Sequence, residues 1–282
     1  MISLAFDFFQ KSKIFLALKV QSKLFFYTYL LIGKFGKKPK DKLVLITGAS
    51  ATHQASLIQL IESTKNVETN STIYIFDLGL DAKYRAKLNT YKKYLDLVVI
   101  DYNFKEKPSW MNIANSNKGE WAWKPDCIKT VITLRNREET ADTNCYLWLD
   151  AGAKVVGSLN LIHRHLHRAG FYSPASSGFV EEWTHPEQIR IVCGHQRFSR
   201  NLNLDGSIIG FCSESQKSVS LLNEWFELSR VQSIIAPAGS NRLNHRQDQS
   251  LLTLLAYKNR ISPKKWELGL HNGAILRHQD ID

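Results

Sequence analysis

Cysteine is scarce: Cys127, Cys145, Cys193 and Cys212 are spread through 282 residues with no C-x-x-C pair. That spacing argues against a zinc knuckle and against the disulfide framework of a small secreted domain. Each cysteine reads as a small buried hydrophobe in a reducing compartment. A secretory leader is not expected either, because the first lysine is Lys11, Asp7 precedes it, and no small-residue cleavage site follows. Long apolar runs are also missing from the first 42 residues. Lys11, Lys13, Lys19 and Lys23 interrupt the pattern, and the longest charge-free stretch after them is Leu24 to Gly33, short of the roughly 20 residues a spanning helix needs.

What is present is a chain with 44% hydrophobic content, enough for one large α/β domain or two small ones and too much for disorder. Its formal charge of +11 is uneven. Residues 1–42 hold nine lysines against Asp7 and Asp41, so this arm carries +7 and leaves +4 for residues 43–282. Phe, Leu and Tyr interleaved with lysine, ending in Lys37-Lys38-Pro39-Lys40, suit a basic amphipathic helical arm lying on an anionic lipid surface. Nucleic acid is not expected as a partner; the alternative for the arm is packing on the body or on a second subunit. The expected location is cytoplasmic, peripheral on the inner face of the membrane.

In residues 43–282, Leu43-Val44-Leu45-Ile46-Thr47 closes at Gly48 and is followed by a helical pattern over Gln54 to Ser63. Thr72 to Asp77, a charged helix over Asp81 to Tyr94, and Leu97 to Asp101 repeat the alternation, which predicts a Rossmann-type, mostly parallel sheet flanked by helices. Ligands of such sheets bind beyond the strand C-termini, where Thr47, Asp77, Asp101 and Asp150 fall; loop capping is the plain alternative for each. Thr47-Gly48-Ala49-Ser50 has the start of a dinucleotide fingerprint but not its later glycines. No Tyr-x-x-x-Lys pair for short-chain reductase chemistry is present, so a nucleotide-dependent oxidoreductase is a minor alternative.

Glu120-Trp121-Ala122-Trp123-Lys124-Pro125 precedes a helix expected from about Asp126 to Arg137, placing Lys124 at a helix entrance where a cation and free N–H groups can meet phosphate. A Trp-rich packing corner explains it equally well. His163 and His167 share a helix face at i, i+4, but no glutamate follows His163 as zinc-protease chemistry requires, so the segment reads as a solvated or phosphate-facing helix. Trp183-Thr184-His185-Pro186 forms a turn. Cys145 to Leu149 is a buried-strand pattern ending in Asp150-Ala151-Gly152.

These motifs together, Trp-Lys-Pro before a helix, Leu-Trp-Leu-Asp-Ala-Gly, and Asp248-Gln249-Ser250-Leu251-Leu252, resemble the GT-A class of nucleotide-sugar glycosyltransferases over about residues 43 to 275, with a looser similarity to the glycogenin-like enzymes. The resemblance implies a catalytic domain over residues 43–282 that moves a sugar from a nucleoside diphosphate donor, a UDP-sugar above all, to a hydroxyl acceptor on a glycan or a lipid-linked chain. It implies donor contacts from Thr47, Gly48, Asp77, Lys124, Asp150, Gly152, Gly206 and Arg277, with Asp150 and Asp248 catalytic. Such enzymes hold Mn²⁺ or Mg²⁺ on a D-x-D motif. Here Asp150 matches the first aspartate and Gly152 replaces the second, so the resemblance leaves three readings: a distant second ligand, for which His271 matches a C-terminal histidine; metal-free stabilisation by cations such as Arg277; or a catalytically inactive binding or scaffolding module. Leu204 to Phe211 is expected as one glycine-bounded strand lining the sugar cleft, and Asp248 as a base or positioning group at the start of the helix Ser250 to Lys258, where N-capping is its structural role.

Overall fold

The computed structural model describes residues 39–67, 71–115, 118–137, 144–194, 198–265 and 267–282. The expected helical arm therefore lies, but for its last four residues, outside the described residues. The rest is built on a six-stranded sheet in the order β3-β2-β1-β4-β9-β6. Its parallel part comprises β1 (Leu43–Ala49), β2 (Thr72–Asp77), β3 (Asp96–Asp101) and β4 (Cys145–Leu149). Strands β9 (Ile208–Cys212) and β6 (Phe171–Tyr172) run antiparallel to their neighbours. The α/β, mostly parallel architecture expected from the alternating pattern is the one observed.

β-Branched and aromatic residues dominate these strands, and because side chains alternate between faces, the sheet is buried on both sides. Leu43, Leu45, Ile73, Ile75, Leu147 and Leu149 pack under α1 (Gln54–Lys65), α2 (Ala82–Tyr91) and α4 (Asn160–Ala169), meeting Leu57, Ile61, Leu88, Ile162 and Leu166. The opposite residues, Val44, Ile46, Tyr74, Phe76, Tyr146 and Trp148, form a second core with Ile128 and Val131 of α3 (Trp123–Asn136), Leu221 and Trp225 of α7 (Gln216–Ser229), and Leu251 and Leu255 of α9 (Gln247–Lys258). Fully burying each such side chain contributes about 1.5–3 kcal/mol, so the faces fix the register that sets which residues reach the strand ends.

Several boundaries differ from expectation. Helix α3 begins at Trp123, so Lys124 and Pro125 lie inside its first turn. The single strand expected over Leu204 to Phe211 is broken: β8 (Leu202–Leu204) pairs with β7 (Ala175–Phe179) in a small separate sheet, and Asp205-Gly206-Ser207 turns the chain into β9. The Ser207 hydroxyl and amide both donate to the Asp205 carboxylate, at 2.5 and 2.7 Å, a local bond pattern that stops strand pairing. Beyond Asp150, β5 (Lys154–Val155) pairs with β10 (Ile275–Leu276). The short helices α5 (Val180–Trp183), α6 (Pro186–Cys193) and α8 (Gln232–Ile235) complete the α-helices among the described residues. Among the described residues, no helix is long and apolar enough to cross a membrane.

Candidate active site

A cleft of about 330 Å³ opens at the C-terminal ends of β1 and β4. Its floor is Gly48–Ser50 at the end of β1, Asp150–Ala153 after β4 and the turn Asp205–Ser207. The Asp150 amide donates to the Ser207 carbonyl at 2.9 Å, tying two of these together.

Lys124 is the centre of the site. It is 3% exposed, and its Nζ lies 3.2 Å from Asp150 Oδ1, 3.2 Å from Asp248 Oδ2 and 3.0 Å from the Gly206 carbonyl it donates to. The Trp148 indole N–H donates to the same Asp150 oxygen at 2.6 Å, and the Lys124 ammonium lies 5.7 Å from the Trp148 ring centroid. Burial opposes a charge on Lys124, but Asp150 and Asp248 outweigh it and raise its pKa. Asp248, 5% exposed, moves the other way from a normal carboxyl: burial raises its pKa, Lys124 opposes the rise, and Asp150 adds to it. Asp150 is the open member of the trio, its side chain 41% exposed toward the cleft. Asp248 is fixed by the Trp225 indole N–H, which donates to its carbonyl at 3.1 Å.

The cleft walls are cationic and aromatic. Residues Lys118, Gly119, Glu120 and Trp121 all have positive φ, from 53° to 61°, a left-handed turn that costs about 1–2 kcal/mol per non-glycine residue. It presents Lys118 and Trp121 to the cleft. The Arg242 guanidinium lies 4.7 Å from the Trp121 ring centroid and that of Arg246 lies 3.9 Å from the Trp183 ring centroid, and both arginines line the cleft. Gln247, immediately before Asp248, also has positive φ. Strained backbone concentrated around one cleft is a mark of functional positions.

Gly48, Lys124, Asp150, Gly152, Gly206 and Asp248 thus share one cleft. Thr47, Asp77, His271 and Arg277 do not line it. The Asp77 carboxylate accepts from the Gly79 and Leu80 amides at 2.8 Å each and pairs with Arg85 at 2.5 Å, the loop-capping arrangement. Arg277 is bound to Asp205 and to the Ala175 carbonyl. His271 is buried against the Tyr172 hydroxyl, 3.3 Å from its Nδ1, and burial together with Arg277 pushes its pKa down to about 3. The cleft histidines are His53 and His278 instead.

Residues missed by the sequence reading are Lys118, Arg242, Arg246, His278 and Asp280. Arg246 stands two positions before Asp248 and carried a local signal; His278 and Asp280 carried none. A Cβ on Gly152 would lie 2.3–2.6 Å from the Asp280 carboxylate atoms. The space a second motif aspartate needs is filled by an aspartate from the segment after β10. That segment is held by the Gln279 amide donating to the Gly152 carbonyl at 2.7 Å and by Asp282, which accepts from the Ala55 amide at 2.8 Å and the Ser56 hydroxyl at 2.5 Å.

No protein-family model and no curated protein matches the sequence. Solved structures do resemble the fold. The WbbM bifunctional glycosyltransferase superposes with a TM-score of 0.50 at 11% identity, covering 78% of this chain and 38% of that one, so the chain spans well under half the length of that protein. The galactosyltransferase LgtC, in complex with donor and acceptor sugar analogues, gives 0.45 at 19% identity over 75% of this chain and 70% of its own. Core-mannan synthase A from Aspergillus fumigatus, in a Mn/GDP form, gives 0.46 at 7% identity over 77% and 70%. The likeness is one of fold alone: with its parallel strands, antiparallel β9 and acidic loop after β4, the chain has the α/β, mostly parallel architecture of the GT-A class.

Proposed function

We propose that the cleft transfers a sugar from a nucleoside diphosphate donor to a hydroxyl acceptor, with a UDP-sugar as donor and a glycan or lipid-linked sugar as acceptor. The observation that carries this reading is the buried Lys124, paired at once with Asp150 from the end of β4 and Asp248 from the start of α9. A buried cation between two carboxylates is costly to build unless its charge orders them. Here it fixes one carboxylate toward the cleft and holds the other inside it.

In the reaction, the acceptor oxygen bonds to the anomeric carbon as the bond to the diphosphate breaks, and the bonding pair leaves on the diphosphate oxygen. Lys118, Arg242 and Arg246 are the cations on the cleft wall, placed to stabilise that developing charge, the largest single contribution in such transfers. Stacking on Trp121 and Trp183 holds the two guanidiniums in place before substrate arrives. Asp248, whose carboxyl is more basic than usual because it is buried, accepts the acceptor hydroxyl's hydrogen bond and proton. Gly206 leaves room for the sugar ring beside Gln249.

A divalent cation fits this site on one observation: Asp280 supplies the carboxylate that Gly152 lacks. Asp150 and Asp280 would hold Mn²⁺ or Mg²⁺, and the ion would neutralise diphosphate oxygens. The competing reading, a binding module without turnover, draws on Gly152 alone. Thermal-shift titration with nucleotide sugars, with and without Mn²⁺, followed by donor hydrolysis on wild type and Asp150→Ala, separates the two. Binding and metal-dependent turnover lost in Asp150→Ala are expected; no nucleotide-sugar binding by the wild type would sink the enzyme reading.

A further inference from the structure

Opposite the cleft, at the N-terminal ends of β1 and β4, four metal-ligating side chains converge. Asp41 precedes β1, Cys145 opens β4, and His163 and His167 stand one turn apart on α4. Their ligand atoms all lie within 4.8 Å of one another. The two imidazoles point the same way: His163 Nε2 is 3.3 Å from one Asp41 oxygen and His167 Nε2 is 2.8 Å from the other, with ring centroids 5.1 Å apart. Cys212, the cross-strand partner of Cys145, continues the cluster, its sulfur within 4.8 Å of His167 and Glu214. His163 and Cys145 are buried and His167 opens to solvent, so the cluster has a shielded interior and a route in.

We propose that Asp41, Cys145, His163 and His167 form a tetrahedral site for a first-row transition ion of the zinc class, separate from the donor cleft. The donor set of two imidazoles, one thiolate and one carboxylate is the kind zinc prefers. With bonds of about 2.0–2.3 Å, a tetrahedral ion spaces its ligands about 3.3–3.8 Å apart, so small side-chain adjustments close the observed cluster. His-x-x-x-His on a helix supplies two ligands on one face without backbone change, and two more come from the ends of adjacent parallel strands, whose spacing the sheet fixes. With all four positions filled by protein ligands and no glutamate base on the helix, the site is structural: it fastens residues 39–42, where the chain enters β1, to β4 and α4.

The test uses the full chain, reduced and treated with chelator, then titrated with Co²⁺ and Zn²⁺. One equivalent of Co²⁺ is expected to give the strong visible bands of a tetrahedral site with a thiolate charge-transfer band, displaced by Zn²⁺, and Zn²⁺ is expected to raise Tm. Cys145→Ser should remove the charge-transfer band; His167→Gln, at a partly exposed position that tolerates change, should weaken affinity at least tenfold. Asp150→Asn, in the donor cleft, should leave the spectrum unchanged, which separates this ion from one bound there. A spectrum unaltered in both Cys145→Ser and His167→Gln, the absence of stoichiometric binding, or a Cys145–Cys212 disulfide in the chain as isolated would each overturn the proposal.

Discussion

Lys124 shows at the residue scale how burial converts a charge into an organiser. Removing it leaves Asp248 buried without its counter-ion, the situation that typically costs 3–5 kcal/mol. Lys124→Met is therefore expected to destabilise the chain by about 3–5 kcal/mol in chemical denaturation, and Lys124→Met/Asp248→Asn to recover much of that loss while remaining unable to turn over donor. If the double variant is no more stable than the single, the pair is not what holds the lysine. His245 offers a pH prediction. Its Nε2–H donates to the Ile235 carbonyl at 2.8 Å and its Nδ1 accepts from the His185 amide at 3.2 Å, so both nitrogens are used by the neutral ring. Burial pushes its pKa down to about 4. The unfolded chain, with an ordinary histidine near 6.5, binds the extra proton first, so stability is complete above about pH 6.5 and falls as pH drops toward 4, by up to about 1.4 kcal/mol per unit. Thermal melts between pH 7.5 and 4.5 should show a steeper decline for wild type than for His245→Gln; equal slopes would refute the assignment.

At the scale of elements, the four parallel strands β1 to β4 were legible because their apolar runs are short, continuous and bounded by polar residues, which is how a sheet buried on both faces reads. Asp150 and Asp248 were legible for a related reason: each stands where an apolar pattern starts or stops. Their pairing with Lys124 was not, because the three come from different elements and meet only through the register of β4 and the packing of α9. Nor was the left-handed turn Lys118–Trp121, since three of its four residues carry a Cβ and local preference opposes that conformation. Gly119 makes it feasible: it has φ 61°, and a Cβ there would lie 2.0 Å from the Met111 carbonyl oxygen. Gly119→Ala is expected to push the turn away from Met111, costing at least about 1 kcal/mol of stability and weakening nucleotide-sugar binding through the displaced Lys118 and Trp121. Hydrogen–deuterium exchange should rise in residues 111–123 and stay unchanged in β1 to β3. Unaltered exchange and binding in Gly119→Ala would mean that the turn plays no part in shaping the cleft.

The whole molecule distributes its positive charge unevenly along the chain. The cleft collects Lys118, Arg242 and Arg246 over a carboxylate floor, whereas residues 1–42 hold nine of the chain's lysines and arginines. Such an arm beside Phe- and Leu-rich sequence gains about 1 kcal/mol per lysine near an anionic leaflet, and the gain is screened within a Debye length of about 8 Å at physiological salt. The described structure places Asp41 against α4, so the natural boundary for testing the arm is residue 38. The chain is expected to sediment with vesicles containing phosphatidylserine, to be released progressively as salt rises, and to ignore purely zwitterionic vesicles. Deleting residues 1–38 should abolish sedimentation while leaving nucleotide-sugar binding and the Asp41 cluster intact, since every described contact of the cleft comes from residues after 47. Vesicle binding that survives the deletion would move the lipid-facing surface to the body; binding that survives high salt would make the apolar residues of the arm, not its lysines, the dominant attraction.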